Sequence, residues 1–256
     1  MLALVGAVRE EVIDLKRGMV LKEVFTWQGC LVYRGKYGNE DILLAQTGIG
    51  QQRAERATTF ILTHYPVTTI ISIGFAGALR RGLRTGDIIL CSALHCSDEW
   101  AQEPGRAKIY HSDAGLASLL SAGPKSSAFR LYRGNSVTVT KVVTTLERKQ
   151  TLGKTFAADI VDMESYWIAR IASARRVPFL GIRAIFDTAS ESLPAFTQMV
   201  DSDGEWHWSK AFVYFLYHPE ELKTLPYLCR KAREARKSLT AFTSYLISQL
   251  GSGAQR

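Results

Sequence analysis

Residues 161–189 read VDMESYWIARIASARRVPFLGIRAIFDTA, a helical pattern followed directly by an apolar run. The helical pattern covers 163–176, and the apolar run at 177–187 predicts a buried strand. Glu164 begins the helix and Asp187 ends the strand. A helix that leads into a strand is typical of an α/β fold. The stretch also raises the question whether the two carboxylates meet at one substrate.

Strand-like and helix-like patterns alternate through most of the remaining chain. Buried strands are predicted at 2–8, 68–74, 86–96 and 136–143, a hairpin at 30–38 and 41–48 around a Gly-Asn turn, and helices at 51–65 and near 113–121. This alternation indicates a layered α/β fold with a largely parallel or mixed sheet. The 256 residues contain no internal repeat and no linker-like stretch, so a single domain is predicted over residues 1–256.

The C-terminal part, about 206–256, predicts a helical, basic and aromatic extension interrupted at Pro219 and Pro226. From Leu228 to Leu246, small or apolar residues recur in steps of three and four, as in a helix that docks by one face. The preceding stretch WHWSKAFVYFLYHP is also typical of a membrane interface. Peripheral contact with the cytoplasmic face of a membrane therefore stays open as an alternative.

The composition narrows the classes of function. The net charge is +8, yet no helix-turn-helix signal, zinc-finger spacing or RNP-like aromatic pair occurs, so no nucleic acid partner is expected. The four cysteines form no CxxC and no cluster with metal spacing, so no metal site is expected. The sequence has no signal peptide and no apolar run of the ~18 residues that a membrane-spanning helix needs. A soluble, cytoplasmic protein is expected.

Candidate site residues follow the predicted strands, where ligands bind in open α/β sheets. TGIG (47–50) opens a helix whose free N–H groups favour an anion or a polar ligand edge, although such a turn is often only a tight connection. GFAG (74–77) lets the backbone approach a ligand closely. Glu10 and Glu11 follow the first strand, either as an acidic first helical turn or as a carboxylate that activates water.

The opening stretch supplies two further candidates. Met163 could pack under a flat sugar ring while Glu164 accepts hydrogen bonds from two vicinal hydroxyls, although a carboxylate at a helix start also has a simple dipole explanation. Asp187 ends a strand that is apolar apart from Arg183. Burial in such a setting raises the pKa of a carboxyl, which suits a general acid.

In this order, GAVREEV, TGIG, GFAGAL with GDII, VDMES and VPFLGIRAIFDTA resemble the motifs of the nucleoside phosphorylase and nucleosidase superfamily, from residue 2 to about 190. Two branches are most similar: the methylthioadenosine/S-adenosylhomocysteine nucleosidases, and the hopanoid-associated phosphorylases tied to removal of adenine from adenosylhopane. The resemblance implies a three-layer αβα fold around a mixed, partly barrel-like sheet. It also implies cleavage of the ribosyl N-glycosidic bond of a small-molecule nucleoside, without a metal or redox cofactor.

The resemblance assigns roles to individual residues. Asp187 would protonate the purine N7, Glu11 would activate water, and Met163 with Glu164 would clamp the ribose around an oxocarbenium-like state. The implied substrate-binding residues are Met163, Glu164, Phe75, Ala76, Gly77, Val143 and Phe186.

Three positions depart from the family pattern. Phe75 and Phe186 each stand where many members have Ser, and Val143 replaces the usual aromatic of the base-stacking segment. Phe75 favours the hopanoid branch and a lipid-like 5′ group. Phe75 and Phe186 are also the best support for a rival hypothesis, a non-catalytic nucleoside-binding protein of this fold.

The choice between water and phosphate as nucleophile depends on the arginines. Phosphorylases of this superfamily carry one just before the central glycine loop, where this chain has Ser72. Arg9 and Gly48 remain as candidates for phosphate contact, with phosphate then a co-substrate. Retention of Glu11 favours hydrolysis. The family commonly forms dimers or larger assemblies, so a homo-oligomer is expected.

Overall fold

A computed structural model describes residues 1–97, 108–120, 129–194 and 223–253. Within these ranges the strands are β1 (Leu2–Gly6), β2 (Met19–Trp27), β3 (Cys30–Tyr37), β4 (Glu40–Gln46), β5 (Thr69–Ala78), β6 (Ile88–Cys96), β7 (Tyr110–His111), β8 (Leu131–Thr138), β9 (Ile160–Asp162) and β10 (Phe179–Asp187). The helices of the same ranges are α1 (Arg9–Arg17), α2 (Gln51–His64), α3 (Ala114–Leu119), α4 (Leu146–Thr155), α5 (Ser165–Ala174) and α6 (Leu225–Gly253).

The strands form one mixed sheet that is partly closed. β5, β9, β8, β6 and β10 pair in a ring, because β10 pairs with β6 on one side and returns to β5 on the other. From β5 the sheet continues outward through β1, β4, β3 and β2. The prediction of a mixed, partly barrel-like sheet is confirmed.

Helices cover the two faces of this sheet. One core contains the inward side chains of α2 and α5, and a second core contains those of α1, α3 and α6. Alternate residues of β1 divide between them, with Ala3 and Val5 in the first core and Leu2 and Leu4 in the second, as the two-residue period of a strand requires. The three-layer αβα prediction is therefore confirmed.

The C-terminal helix α6 docks on the sheet by its apolar face. Ala235, Leu239, Phe242 and Leu246 are fully buried, and burial of each large side chain stabilises the fold by roughly 1.5–3 kcal/mol. This face is therefore occupied by the domain and is not free to rest on a bilayer. None of the described helices is long and apolar enough to cross a membrane. The aromatic stretch at 206–219 lies outside the described residues.

Several boundaries differ from the sequence prediction. Pro226 does not interrupt a helix but is the second residue of α6, where its missing N–H has no intrahelical partner to lose. β2 was not predicted, because it is an edge strand that pairs only with β3 and leaves Val20 and Val24 exposed. β8 ends at Thr138 instead of continuing to residue 143. The hairpin of β3 and β4 is confirmed, with Gly38 in its turn at a φ of 59°.

The sheet topology brings the candidate site residues to one edge. β1 runs parallel to β4 and β5, and β5 runs parallel to β10, so the carboxyl ends of these four strands point the same way. Glu11 follows β1, the segment 47–50 follows β4, and Asp187 is the last residue of β10. The predicted position at the strand ends is confirmed for all three.

Candidate active site

Glu11 is a buried carboxylate held by backbone amides. One oxygen, Oε2, accepts hydrogen bonds from the N–H groups of Ala7 at 2.6 Å and Val8 at 3.0 Å. The other, Oε1, accepts one from Phe75 N at 2.8 Å, across from β5. Gly74 permits this approach, since a Cβ there would lie 2.8 Å from Oε1. Burial raises the pKa of Glu11, and these hydrogen bonds offset part of the rise.

Glu164 is the N-cap residue of α5, but its side chain makes no capping hydrogen bond to that helix. Its Oε1 accepts a hydrogen bond from Gly50 N at 2.9 Å, in the turn after β4. Burial raises the pKa of Glu164 to about 8, and the charges of Glu11 and Asp162 contribute to this rise. The carboxyl of Glu164 is therefore directed at the turn after β4 and is close enough to Glu11 for the two charges to interact.

Asp187 is buried at the end of β10, opposite Gly77 of β5. A Cβ on Gly77 would lie 3.2 Å from both carboxylate oxygens, so glycine makes room for the side chain. The ammonium of Lys149, from α4, donates a hydrogen bond to Oδ2. Burial raises the pKa of Asp187, and the Lys149 ammonium offsets part of that rise.

A buried cation lies beneath the two glutamates. Arg183 Nε donates to Asp162 Oδ2 at 2.8 Å, and its other nitrogens donate to Ser72 O at 3.0 Å and Ser72 Oγ at 2.8 Å. Its positive charge offsets part of the rise that burial causes in the pKa values of Glu11 and Glu164. The sequence signal was present, since Arg183 is the polar residue of an otherwise apolar strand, but no role was assigned to it.

The GFAG segment, predicted to follow a strand that ends at residue 74, lies within β5 and runs beside the carboxyls of Glu11 and Asp187. Ala76 is buried, whereas Phe75 is half-buried and its ring centroid lies 6.3 Å from that of Phe186. Phe186 occupies the irregular position of β10 between the register partners Ile185 and Asp187. The two phenyl rings therefore form an apolar wall at the ends of β5 and β10, and Phe75 also packs against the second core.

Met163 and Val143 pack in a separate cluster beside the site. Val143 is buried with Val137, Val139 and Val161, and the half-buried Met163 packs against the same group. Met163 is thus held next to Glu164, as a sugar-facing residue requires. Val143 is a buried core residue of this cluster, so its side chain packs against neighbouring valines.

The two candidates for phosphate contact are differently placed. Gly48 adopts a φ of 81° in the turn after β4, and its N–H donates to Ala7 O at 2.9 Å. Arg9 is exposed at the start of α1 and acts electrostatically on Tyr33. Its charge therefore lies on the solvent side of the loop that holds Glu11.

A cleft of about 580 Å³ lies on the other side of Gly50, the hydrogen-bond partner of Glu164. Trp27, Thr47, Ile49 and Thr140 are among its lining residues, whereas Glu11, Glu164 and Asp187 are not. The volume lies in the range of sites for small molecules, ~300–1,000 Å³. In the described part of the chain, no cluster of three or more His, Cys, Asp or Glu side chains could hold a metal ion.

A family model described as the Phosphorylase superfamily matches residues 2–208. The chain belongs to this superfamily. Its sequence is 27% identical, over 211 residues that span 78% of this chain and 91% of the relative, to the 5′-methylthioadenosine/S-adenosylhomocysteine nucleosidase of Bacillus thuringiensis. The prediction of an enzyme of the nucleosidase or nucleoside phosphorylase kind is confirmed.

Solved structures of this superfamily share the fold. The nucleosidase of Neisseria meningitidis in complex with methylthio-immucillin-A is 24% identical, with a TM-score of 0.72 over 95% of this chain and 98% of that chain. The enzyme of Colwellia psychrerythraea in complex with adenine is 19% identical, with a TM-score of 0.76 over 97% and 95%. Futalosine hydrolase of Helicobacter pylori is 20% identical, with a TM-score of 0.70 over 95% and 97%.

Proposed function

We propose that this superfamily member hydrolyses the N-glycosidic bond of a purine nucleoside, with adenine as the base. The observation that carries the proposal is that Glu11 and Asp187 lie at the carboxyl edge of β1, β4, β5 and β10, and that Glu164 reaches the same edge through its hydrogen bond to Gly50 after β4. The nucleosidases among the relatives and the structural neighbours support the same reaction.

The sugar would bind between Met163 and Glu164. Ionised Glu164 can accept hydrogen bonds from the ribose 2′- and 3′-hydroxyls, and its hydrogen bond to Gly50 holds the carboxyl beside a residue that lines the cleft. The raised pKa of Glu164 favours its protonated form in the free protein. Substrate hydroxyls that donate hydrogen bonds to the carboxylate would stabilise the ionised form. The ribose would then be held at the edge of the 580 Å³ cleft.

The base would leave with help from Asp187. A proton that passes from the Asp187 carboxyl to N7 lets the purine accept the electron pair of the breaking C1′–N9 bond. The positive charge that develops on the sugar would be stabilised by the carboxylates nearby. The chain's own side chains supply both effects, so no cofactor is part of the proposal.

Water is the better candidate for the nucleophile. Glu11 is oriented by three backbone N–H groups and lies beside the end of β5, where a carboxylate could take a proton from water that attacks C1′. The exposed Arg9 gives weak support for phosphate. Ser72, which stands where phosphorylases carry an arginine, is already engaged with Arg183.

The apolar wall of Phe75 and Phe186 favours a substrate with an apolar 5′ group. Methylthioadenosine is the small member of this class, and a hopanoid nucleoside such as adenosylhopane is the large, lipid-like one. We further propose that the protein is a cytoplasmic homo-oligomer. Peripheral contact with a membrane would give it access to the lipid-like substrate. The rival hypothesis of a non-catalytic binding protein predicts no base release from any of these nucleosides.

Base release from a panel of nucleosides tests the proposal directly. Adenosine, methylthioadenosine, S-adenosylhomocysteine, adenosylhopane and inosine would each be incubated with the protein, with and without phosphate, and free base measured by chromatography. We expect phosphate-independent release of adenine, fastest for an apolar 5′ group. Release only with phosphate would assign a phosphorylase, and no release from the panel would favour the binding protein.

A further inference from the structure

The strongest feature that the proposed reaction leaves unexplained is the lysine beneath the acid. Lys149 lies on α4, in the sequence LERKQ, and its side chain is 1% exposed. Burial of a lysine without partners is very unfavourable, so its surroundings must compensate for the lost hydration. The hydrogen-bond partners of the Lys149 ammonium provide this compensation.

The ammonium of Lys149 uses all three of its N–H donors. It donates to Asp187 Oδ2, to Thr188 O at 2.7 Å and to Glu191 O at 2.7 Å. One carboxylate oxygen of Asp187 is therefore committed to Lys149. Among the described residues, none makes a hydrogen bond to the other oxygen, Oδ1.

The segment that follows Asp187 is in turn tied to the C-terminal helix. Glu191 accepts hydrogen bonds from Thr188 N at 2.8 Å and from Tyr227 and Lys231 of α6. Against the effect of burial, the hydrogen bonds from Lys231 and Tyr227 lower the pKa of Glu191 to about 2, so it is ionised at neutral pH. The ion pair of Lys231 and Glu191 thus holds the two carbonyls on which Lys149 depends.

This arrangement has a consequence for proton transfer. As the proton leaves Asp187 for the base, the carboxyl becomes a carboxylate, and the electron pair of the broken O–H bond stays on Asp187. A fixed ammonium at Oδ2 stabilises the negative charge that develops, without any reorganisation during the step. It also orients the carboxyl so that Oδ1 faces the leaving group.

We propose that Lys149 is the positioning residue of the general acid Asp187, and that α6 holds Lys149 in place through Glu191 and Lys231. The proposal rests on the proposed function, because it needs Asp187 to act as an acid. It makes the C-terminal helix part of the support of the general acid, through Tyr227 and Lys231.

A double-mutant cycle on hydrolysis of 5′-methylthioadenosine tests the proposal. Lys149→Met should lower kcat about 100-fold with KM nearly unchanged, because only the transition state loses stabilisation. Lys231→Met should lower kcat about tenfold. This loss is smaller than the loss that a displacement of a reacting group by about 1 Å can cause. In the Asp187→Asn background, each of the two substitutions should lower kcat by less than about threefold, because the acid is already absent.

Matched lysines supply the controls. Lys154→Met on α4 and Lys237→Met on α6 remove exposed charges and should leave kcat at the wild-type value. Lys231→Met keeps the test open if Lys149→Met does not fold. Equal losses in the wild-type and Asp187→Asn backgrounds, or a kcat of either variant near wild type, would overturn the proposal while leaving the proposed function intact. A wild-type protein inactive on the whole nucleoside panel would overturn both.

Discussion

Glu11 and Asp187 are both buried carboxyls at the same edge of the sheet, but they are held in different ways. Glu11 accepts hydrogen bonds from Ala7, Val8 and Phe75, all of them backbone amides. Asp187 is held by one side chain, Lys149. Backbone amides are neutral donors that belong to the main chain, whereas Lys149 adds a full positive charge from a separate helix.

The difference follows from the parts of the chain involved. Ala7 and Val8 lie within four residues of Glu11, so two of its three hydrogen bonds are local, and the third comes from Phe75 of β5. Lys149 lies 38 residues before Asp187, and the supporting ion pair of Lys231 and Glu191 spans 40 residues. The Glu11 side of the site is therefore largely a turn that contacts one neighbouring strand, whereas both ion pairs of the Asp187 side join distant parts of the chain. Substitutions should separate the two.

The largest effect is expected at Asp187. Asp187→Asn keeps the size of the side chain and can still accept a hydrogen bond from Lys149, but it has no proton to donate. Turnover of the best nucleoside should fall about 100- to 10,000-fold with folding intact. Steady-state kinetics measures the turnover, and circular dichroism measures the folding. Asp41→Asn, on the exposed surface of β4, is the control. A variant within a factor of about two of wild type would contradict the role of Asp187 as the acid.

Glu11→Gln should damage both activity and stability. Its carboxamide has one acceptor oxygen in place of two, so at least one of the amides of Ala7, Val8 and Phe75 would face an NH₂ group. Turnover should fall about 100-fold, and the free energy of unfolding should decrease by about 1–3 kcal/mol.

Glu10→Gln is the matched control for this substitution, because Glu10 is the exposed neighbour on the same helical turn. It should change neither quantity. Denaturant unfolding that gives equal stabilities for the Glu11 and Glu10 variants would show that the backbone contacts of Glu11 add nothing to the fold.

A smaller, substrate-dependent effect is expected at Glu164. A ribose presents two vicinal hydroxyls to the carboxylate and a 2′-deoxyribose presents one. A lost hydrogen bond to a charged group costs about 1.5–3 kcal/mol, so Glu164→Gln should lower kcat/KM for ribosides at least about tenfold more than for 2′-deoxyribosides. Parallel kinetics on adenosine and 2′-deoxyadenosine decide the point, and equal losses would remove Glu164 from the sugar site.

The smallest effect concerns the stability of the ligand-free protein as a function of pH. The pKa of Glu164 is about 8 in the folded protein, against an ordinary value of 4.5. Between these values the folded state keeps a proton that the unfolded state has lost, so stability falls as pH rises through this window. Glu164→Gln should weaken this fall and raise Tm most at the alkaline end. Tm values of the two proteins that differ by the same amount at pH ~5 and pH ~9 would contradict the raised pKa.

Sequence patterns were sufficient for much of the site. Glu11, Glu164 and Asp187 were all found from their positions after a strand or before a helix, because the ends of regular elements carry local signals in glycines and charges. Less regular elements were harder to find. The edge strand β2 has an exposed pattern, and the helix α4 has few apolar residues, so neither was predicted.

The sequence by itself determined the alternation of strands and helices, the family and the carboxyls at the strand ends, since each depends on residues that are close in the chain. Tertiary structure alone decided which cation each carboxyl meets. Arg183 could be noticed as a polar residue in an apolar strand, but its partner Asp162 could not be identified. Lys149 gave no signal at all, because LERKQ has the composition of a solvated helix. Its burial arises only when the closed ring of β5, β9, β8, β6 and β10 brings α4 beneath Asp187.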